Sequence, residues 1–128
     1  MAIQYSAGII TSRLEALTTA AGATGYLLIY TGAQPANCGD SASGTLLASL
    51  PMSNPIAPAP SGGILTLSAI TSEAAGATGT AGYWRICTSS AGTTCVAQGS
   101  ITATGGGGDL TFPSVAFTSG ETIGITSF

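Results

Sequence analysis

Apolar residues in this chain fall in short runs, each about the length of one strand, and small polar residues separate the runs. Turn-forming Gly, Ser, Asn and Pro lie between them at intervals of about 8 to 12 residues. Runs of this kind occupy residues 26–31, 45–50, 64–70, 82–87, 94–101, 110–117 and 121–128. The pattern predicts one mainly β domain over residues 1–128, an antiparallel β-sandwich or barrel of about seven strands.

One segment near the N-terminus departs from the strand pattern, because its apolar residues recur at helical spacing. Ser12 and Glu15 have the spacing of a capping box, and Gly22 suits the end of a helix. We therefore predict one short helix over residues 12–22. So short a helix is marginal alone and needs a sheet to pack on.

Proline is concentrated in one segment, residues 51–63, which contains Pro51, Pro55, Pro58 and Pro60. Proline cannot donate a hydrogen bond to a β-ladder, so this segment is unsuited to the middle of a sheet. Long connections are often functional. The segment is predicted to be a long loop or an extended arm, with its last three prolines as candidate subunit contacts.

The clearest hairpin joins residues 82–87 to residues 94–101 through a Ser-Ser-Ala-Gly turn. Its first strand contains Tyr83 and Trp84 beside Arg85. These residue types favour two interpretations, an aromatic pair in the core or a hot spot for subunit contact.

The three cysteines leave several arrangements open. Cys87 and Cys95 fall opposite each other in the predicted hairpin, so a cross-strand disulfide is geometrically feasible. Cys38 competes as a partner for either, and free buried thiols are the common state in a cytoplasmic protein. No pair has C-x-x-C spacing and the chain has no histidine, which argues against a zinc site.

Charge is nearly absent from the sequence. Two arginines and five carboxylates, with no lysine or histidine, give a net charge of −3 in 128 residues, whereas an average domain of this length carries about 30 charged residues. Because charge keeps lone globules soluble and apart, we expect a chain that is packed against other subunits. Two separated arginines disfavour nucleic acid and anionic membranes as partners.

No apolar run approaches the roughly 18 residues of a membrane span. The N-terminal residues lack a basic region followed by an apolar core, so no signal peptide is predicted. We expect synthesis in a cytoplasm.

The sequence offers few groups for catalysis, since nucleophilic chemistry needs a base beside the nucleophile. Asp40, Glu73, Asp109 and Glu121 lie in or near predicted loops, where solvated carboxylates are favoured over a catalytic pair. The spacing around Asp40 matches no EF-hand. We predict no enzyme activity, no cofactor and no metal.

Four consecutive glycines, residues 105–108, superficially resemble a phosphate-binding loop. Such a loop needs a helix behind it and usually a lysine. Here Asp109 and a strand pattern follow. The glycines therefore predict a flexible or tightly approached turn.

Six segments with turn and loop signatures occur in order along nearly the whole chain. They are MAIQYS (1–6), YTGAQPANC (30–38), GTAGYWRI (79–86), SAGTTC (90–95), QG (98–99) and TATGGGGD (102–109). Together they resemble a family of small virion proteins of tailed bacteriophages. This resemblance implies a disulfide between Cys38 and Cys95.

The resemblance also implies a role in a phage particle. The expected role is a decoration (cement) protein on the capsid surface, oligomeric in the particle, with the major capsid protein and copies of itself as partners. A neck, tail or fibre-base component is the alternative within the particle. A small carbohydrate-binding or hydrolytic virion domain is the alternative of another class.

Overall fold

A computed structural model describes residues 3–125 and has one α-helix, α1 (Ala7–Ala21), followed by a short 3-10 helix (Gly22–Thr24). Eight strands lie within the described residues: β1 (Tyr26–Thr31), β2 (Leu46–Pro51), β3 (Glu73–Ala74), β4 (Gly79–Cys87), β5 (Cys95–Ala103), β6 (Leu110–Phe112), β7 (Ala116–Phe117) and β8 (Thr122–Ile123). The last part of the predicted C-terminal strand, residues 126–128, falls outside them.

The main sheet is curled into a half-barrel with the strand order β2-β1-β4-β5-β6, and β7 pairs with β4 beyond this row. Strands β3 and β8 form a separate antiparallel pair. The prediction of a mainly β fold with one short helix is confirmed. The predicted antiparallel sandwich or barrel is shown only in part: the sheet curls into a half-barrel, and β6 runs parallel to β5, which makes the sheet mixed.

The glycines at residues 105–108 make the parallel pairing of β5 with β6 possible. A parallel connection usually takes a dozen or more residues, but here residues 104–109 complete it. A Cβ atom on Gly106 would lie 2.7 Å from Thr102 Oγ1, and the Gly108 N–H donates to that same oxygen at 2.9 Å. The tract is a tightly approached turn.

Both faces of the central strand β4 are covered. Trp84 and Ile86 lie in the main hydrophobic core, which also includes Leu27 and Ile29 of β1. The opposite face of the sheet carries a second, smaller cluster: Leu28, Tyr30, Tyr83 and Cys87. The loop between β1 and β2 lies over this second face and hydrogen-bonds to its side chains.

Helix α1 begins earlier than the sequence pattern indicates. Its N-cap is Ser6, whose hydroxyl accepts a hydrogen bond from the Ile9 N–H, and the predicted N-cap at Ser12 is therefore wrong. The helix extends back to the earlier capping side chain of Ser6 although residues 7–11 include Gly8 and three β-branched residues, which are weak helix formers. The helix ends at Gly22 as predicted, and Ala21 is its buried residue.

The proline-rich segment folds back on the body of the protein as a long loop, so of the two predicted forms the structure has the loop and not the extended arm. Ile56 and Ala57 are buried in the main core, and the Ile56 carbonyl accepts a hydrogen bond from the Ser68 N–H at 2.8 Å. The predicted strand at residues 64–70 is also wrong. It forms only isolated bridges, including Met52 with Ile70, because the facing prolines cannot donate to a ladder.

The indole of Trp84 packs against Gly99 and leaves no room for a side chain at that position. We therefore predict that Gly99→Ala destabilises the protein. A Cβ atom there would lie 2.6 Å from the Trp84 ring, and overpacking of a core typically costs about 1–3 kcal/mol. Urea unfolding followed by the fluorescence of this single tryptophan measures the change. Gly8→Ala in α1 is the matched control, because the new Cβ would meet nothing within 4 Å. Alanine is the better helix former, so this substitution should raise the free energy of unfolding by up to about 1 kcal/mol. Equal effects of the two substitutions would contradict the packing argument.

Candidate functional site

The most chemically distinctive group in the structure is the buried guanidinium of Arg85, which is 1% exposed. Its Nε and Nη2 each donate to Gln98 Oε1 at 3.1 Å. Nη2 also donates to the backbone carbonyls of Asp40 at 2.8 Å and Cys38 at 3.3 Å. A buried charge needs partners of this kind, because unpaired burial is very costly. We call Arg85, Gln98 and the carbonyls they bind the arginine clamp.

Gln98 extends the clamp further along the loop between β1 and β2. It lies directly opposite Arg85 in the β4–β5 register, and its Nε2 donates to the Pro35 carbonyl at 2.8 Å. The Tyr83 hydroxyl accepts from the Ser43 N–H at 2.9 Å and donates to the Ser43 carbonyl. The loop is thus fixed to the sheet at both its ends.

A disulfide joins Cys38 of this loop to Cys95 of β5, with 5.5 Å between the two Cα atoms. This is the pairing that the resemblance implies. Cys87 stays a free, fully buried thiol although it lies opposite Cys95 in the hairpin. Burial raises the pKa of the Cys87 thiol, and the nearby Arg85 opposes that shift only in part.

Tyr30 and Tyr83 stack beneath the loop with ring centroids 5.1 Å apart. Burial, above all, raises the pKa of Tyr30. A cavity of about 320 Å³ opens beside Tyr30, between the loop and the hairpin turn, with Asp40, Ser41 and Thr93 in its wall. Its wall offers hydroxyl and carboxylate groups for hydrogen bonding.

Three of the loop carboxylates accept hydrogen bonds from backbone N–H groups of the same chain. Asp40 Oδ2 accepts from the Asn37 N–H at 3.0 Å, and Glu121 Oε2 accepts from the Thr118 N–H at 3.0 Å. Asp109 Oδ2 accepts from the Ser100 N–H at 2.8 Å and from its hydroxyl at 2.9 Å. The Ser100 N–H first, and then its hydroxyl, lower the pKa of Asp109. Within residues 3–125, no three metal-ligating side chains cluster.

The predicted subunit contacts divide into two groups. Tyr83, Trp84 and Arg85 are at most 8% exposed, so the idea that they contact another subunit is corrected: they belong to the interior. Their size and polarity are used within the chain, the indole against Gly99 and the other two against the loop. The prolines at 55 and 58 are exposed and the proline at 60 is half-buried.

Sequence reasoning missed the partners of Arg85. Counting back from Cys87 opposite Cys95 places Arg85 opposite Ala97. A bulge between Ile86 and Cys87 shifts the register by one residue and brings Gln98 there instead. The polar Arg and Gln in facing strands were the available signal, but the bulge is not visible in the sequence pattern.

Three of the five large apolar side chains that are exposed in the described residues lie near the N-terminus, and the other two are Leu46 and Ile64. Ile3, Tyr5 and Ile9 are 79%, 52% and 50% exposed, and Ile64 is 66% exposed. The guanidinium of Arg13 lies over the Tyr5 ring, 4.9 Å from its centroid. Among residues 3–125, no helix has the length and apolar character needed to cross a membrane.

We predict that Arg85→Met lowers the free energy of unfolding by about 3 kcal/mol, because Gln98 and two loop carbonyls lose a charged donor in the interior. Urea unfolding gives the free energy, and hydrogen exchange at the Asp40 amide reports the loop. The matched control is Arg13→Met on the surface, for which a change below about 1 kcal/mol is expected. Similar losses at the two arginines would contradict the clamp.

Asp109→Asn should destabilise the protein at pH 7 but have little effect at low pH. The folded-state pKa of Asp109 is depressed, so its contribution is present above the ordinary value of about 3.9 and is lost as pH falls through the lower folded value. Urea midpoints of both proteins at pH 7 and at strongly acid pH test this. In a double-mutant cycle, Ser100→Ala should couple to Asp109→Asn. A difference that is unchanged by acid would contradict this role of the carboxylate.

Comparison with known proteins finds no matching family model, no matching curated protein and no matching solved structure. The site is therefore interpreted from its own residues.

Proposed function

We propose that this chain is a non-enzymatic structural protein of a bacteriophage particle, a decoration protein that binds across capsomers on the head. The observation that carries the proposal is the surface of the molecule. One of its two arginines is buried, so a single arginine faces solvent together with five exposed carboxylates. The rest of the exterior is uncharged.

A surface with so few charges suits a protein whose surface is buried against other proteins in its functional state. Free globules rely on surface charge for solubility and for keeping apart. Small hydroxyl and methyl side chains instead allow two protein surfaces to approach closely without desolvating ions, which is the costly part of burying an interface. The exposed apolar residues beside α1, including Ile3 and Ile9, add surface that gains from being covered.

Four of the seven charged side chains accept or donate hydrogen bonds within the chain. Arg85 holds the β1–β2 loop, and the carboxylates of Asp40, Asp109 and Glu121 accept hydrogen bonds in their own turns. The chain also has one long loop, between β1 and β2, which a disulfide fixes to the sheet. These features support binding rather than catalysis.

A carbohydrate-binding domain would need an exposed aromatic side chain, for which Trp84, the single tryptophan, is the candidate. Trp84 is 8% exposed and lies in the main core, so that alternative loses the feature on which it rested. The resemblance to small phage virion proteins supports a place in the phage particle. Many copies, each with a modest contact area, would then stabilise the shell through multivalent contacts with the major capsid protein and with one another.

The number of copies per particle tests the proposal. In purified particles of the phage that encodes this chain, we expect hundreds of copies by quantitative mass spectrometry, with the major capsid protein as the internal standard. Mild treatment should release them while shells stay intact, and the stripped shells should break at lower temperature. A count of six, twelve or a few dozen would instead support a neck, tail or fibre-base component. Absence from the particle would overturn the virion role.

A further inference from the structure

All three cysteines of the chain meet at one end of the β4–β5 hairpin. Cys95 is bonded to Cys38 of the overlying loop, and Cys87 lies opposite Cys95 in the neighbouring strand. Cys87 belongs to the small cluster on this face of the sheet, and Cys95 packs against the same cluster. A free thiol therefore adjoins a disulfide inside one folded unit.

The strand register and the existing disulfide place Cys95 beside both of its possible partners. Directly opposed residues in an antiparallel pair have Cα atoms about 4.5–5.5 Å apart. Disulfides form at Cα separations of about 4.4–6.8 Å. The existing bond to Cys38 has a separation of 5.5 Å, in the same range.

We propose that the protein contains a latent disulfide switch, in which Cys87 displaces Cys38 from Cys95 by intramolecular thiol–disulfide exchange. The Cys87 thiol gives its proton to solvent, and its sulfur attacks Cys95 Sγ. The Cys38–Cys95 bond breaks as the Cys87–Cys95 bond forms, and the electron pair leaves on Cys38 Sγ, which takes up a proton. The number of disulfides stays at one, so no oxidant or reductant is consumed.

The exchange changes what holds the loop between β1 and β2. In the starting state, the disulfide ties Cys38 to the sheet beside the arginine clamp. After exchange, the disulfide joins the two strands of the hairpin, and the loop keeps only its hydrogen bonds. The switch thus converts a covalently fixed loop into one that is able to detach.

Burial keeps the switch latent in the native state. Cys87 is 0% exposed, and desolvation disfavours the thiolate that must attack. The charged and titratable groups around it are Arg85, Tyr26, Tyr30 and Tyr83, all from the same small region of the sheet. Local opening of the loop admits water to Cys87 and lets exchange proceed, so the switch responds to loosening of the loop.

Disulfide mapping of the full, oxidised chain tests the proposal. The protein is held without added thiol, in buffer and in urea below its unfolding midpoint, then quenched in acid, alkylated and digested with pepsin. At the start, the alkyl label should be on Cys87. In urea, the label should move from Cys87 to Cys38 as linked Cys87–Cys95 peptides appear, at a rate that does not depend on protein concentration.

The variants separate exchange from other chemistry. Cys87→Ala should keep the Cys38–Cys95 bond and show no label on Cys38 under the same conditions. Cys38→Ser, oxidised with glutathione disulfide, should form the Cys87–Cys95 bond while folded by circular dichroism. A label that stays on Cys87 in urea, a label that moves to Cys95, or two free thiols in folded Cys38→Ser protein would each overturn the proposal.

Discussion

The buried guanidinium of Arg85 imposes the main constraint on this fold. A charge in the interior must be surrounded by acceptors, since an unpaired one costs several kcal/mol. Gln98 and the carbonyls of Cys38 and Asp40 supply those acceptors. The loop between β1 and β2 must therefore lie across the hairpin. Because the loop covers the second face of the sheet, side chains as large as Tyr83 are buried there. Without the loop, the same side chains would be exposed to water.

The fold uses several of its few charged side chains for hydrogen bonds within the chain. The clamp uses one arginine, and the turns around Asp40 and Asp109 use carboxylates as hydrogen-bond acceptors for backbone N–H groups. Little charge is left to keep the molecule apart from others. The exterior that results, uncharged over most of its area with exposed apolar residues beside α1, favours contact with other protein surfaces. The proposed place on a phage head follows from this division between interior and surface.

Local patterns in the sequence predicted much of the fold, whereas the sequence pattern did not predict how segments distant in the chain pair with one another. Strand β1 and the β4–β5 hairpin follow from an apolar run and from alternation around a turn. The parallel β6 depends on how four glycines pack on Thr102, a contact that no periodicity encodes. The prolines predicted a loop or an arm but could not decide between them, and the apolar surface that Ile56 buries in the core decides for the loop. The clamp was missed because a single bulge sets its register.

The disulfide and the clamp hold one loop by different physics, and that difference gives the exchange its direction. In the chain-entropy model, a bond between residues 57 apart stabilises the folded state by about 4 kcal/mol, whereas a bond closing the short Cys87–Cys95 loop contributes about 2.5 kcal/mol. The longer loop is thus the costlier one to close in a disordered chain, by about 1.5 kcal/mol. Native contacts of the loop, the clamp foremost, supply the preference for Cys38. When those contacts loosen, the same accounting favours Cys87, so the clamp determines which disulfide is stable.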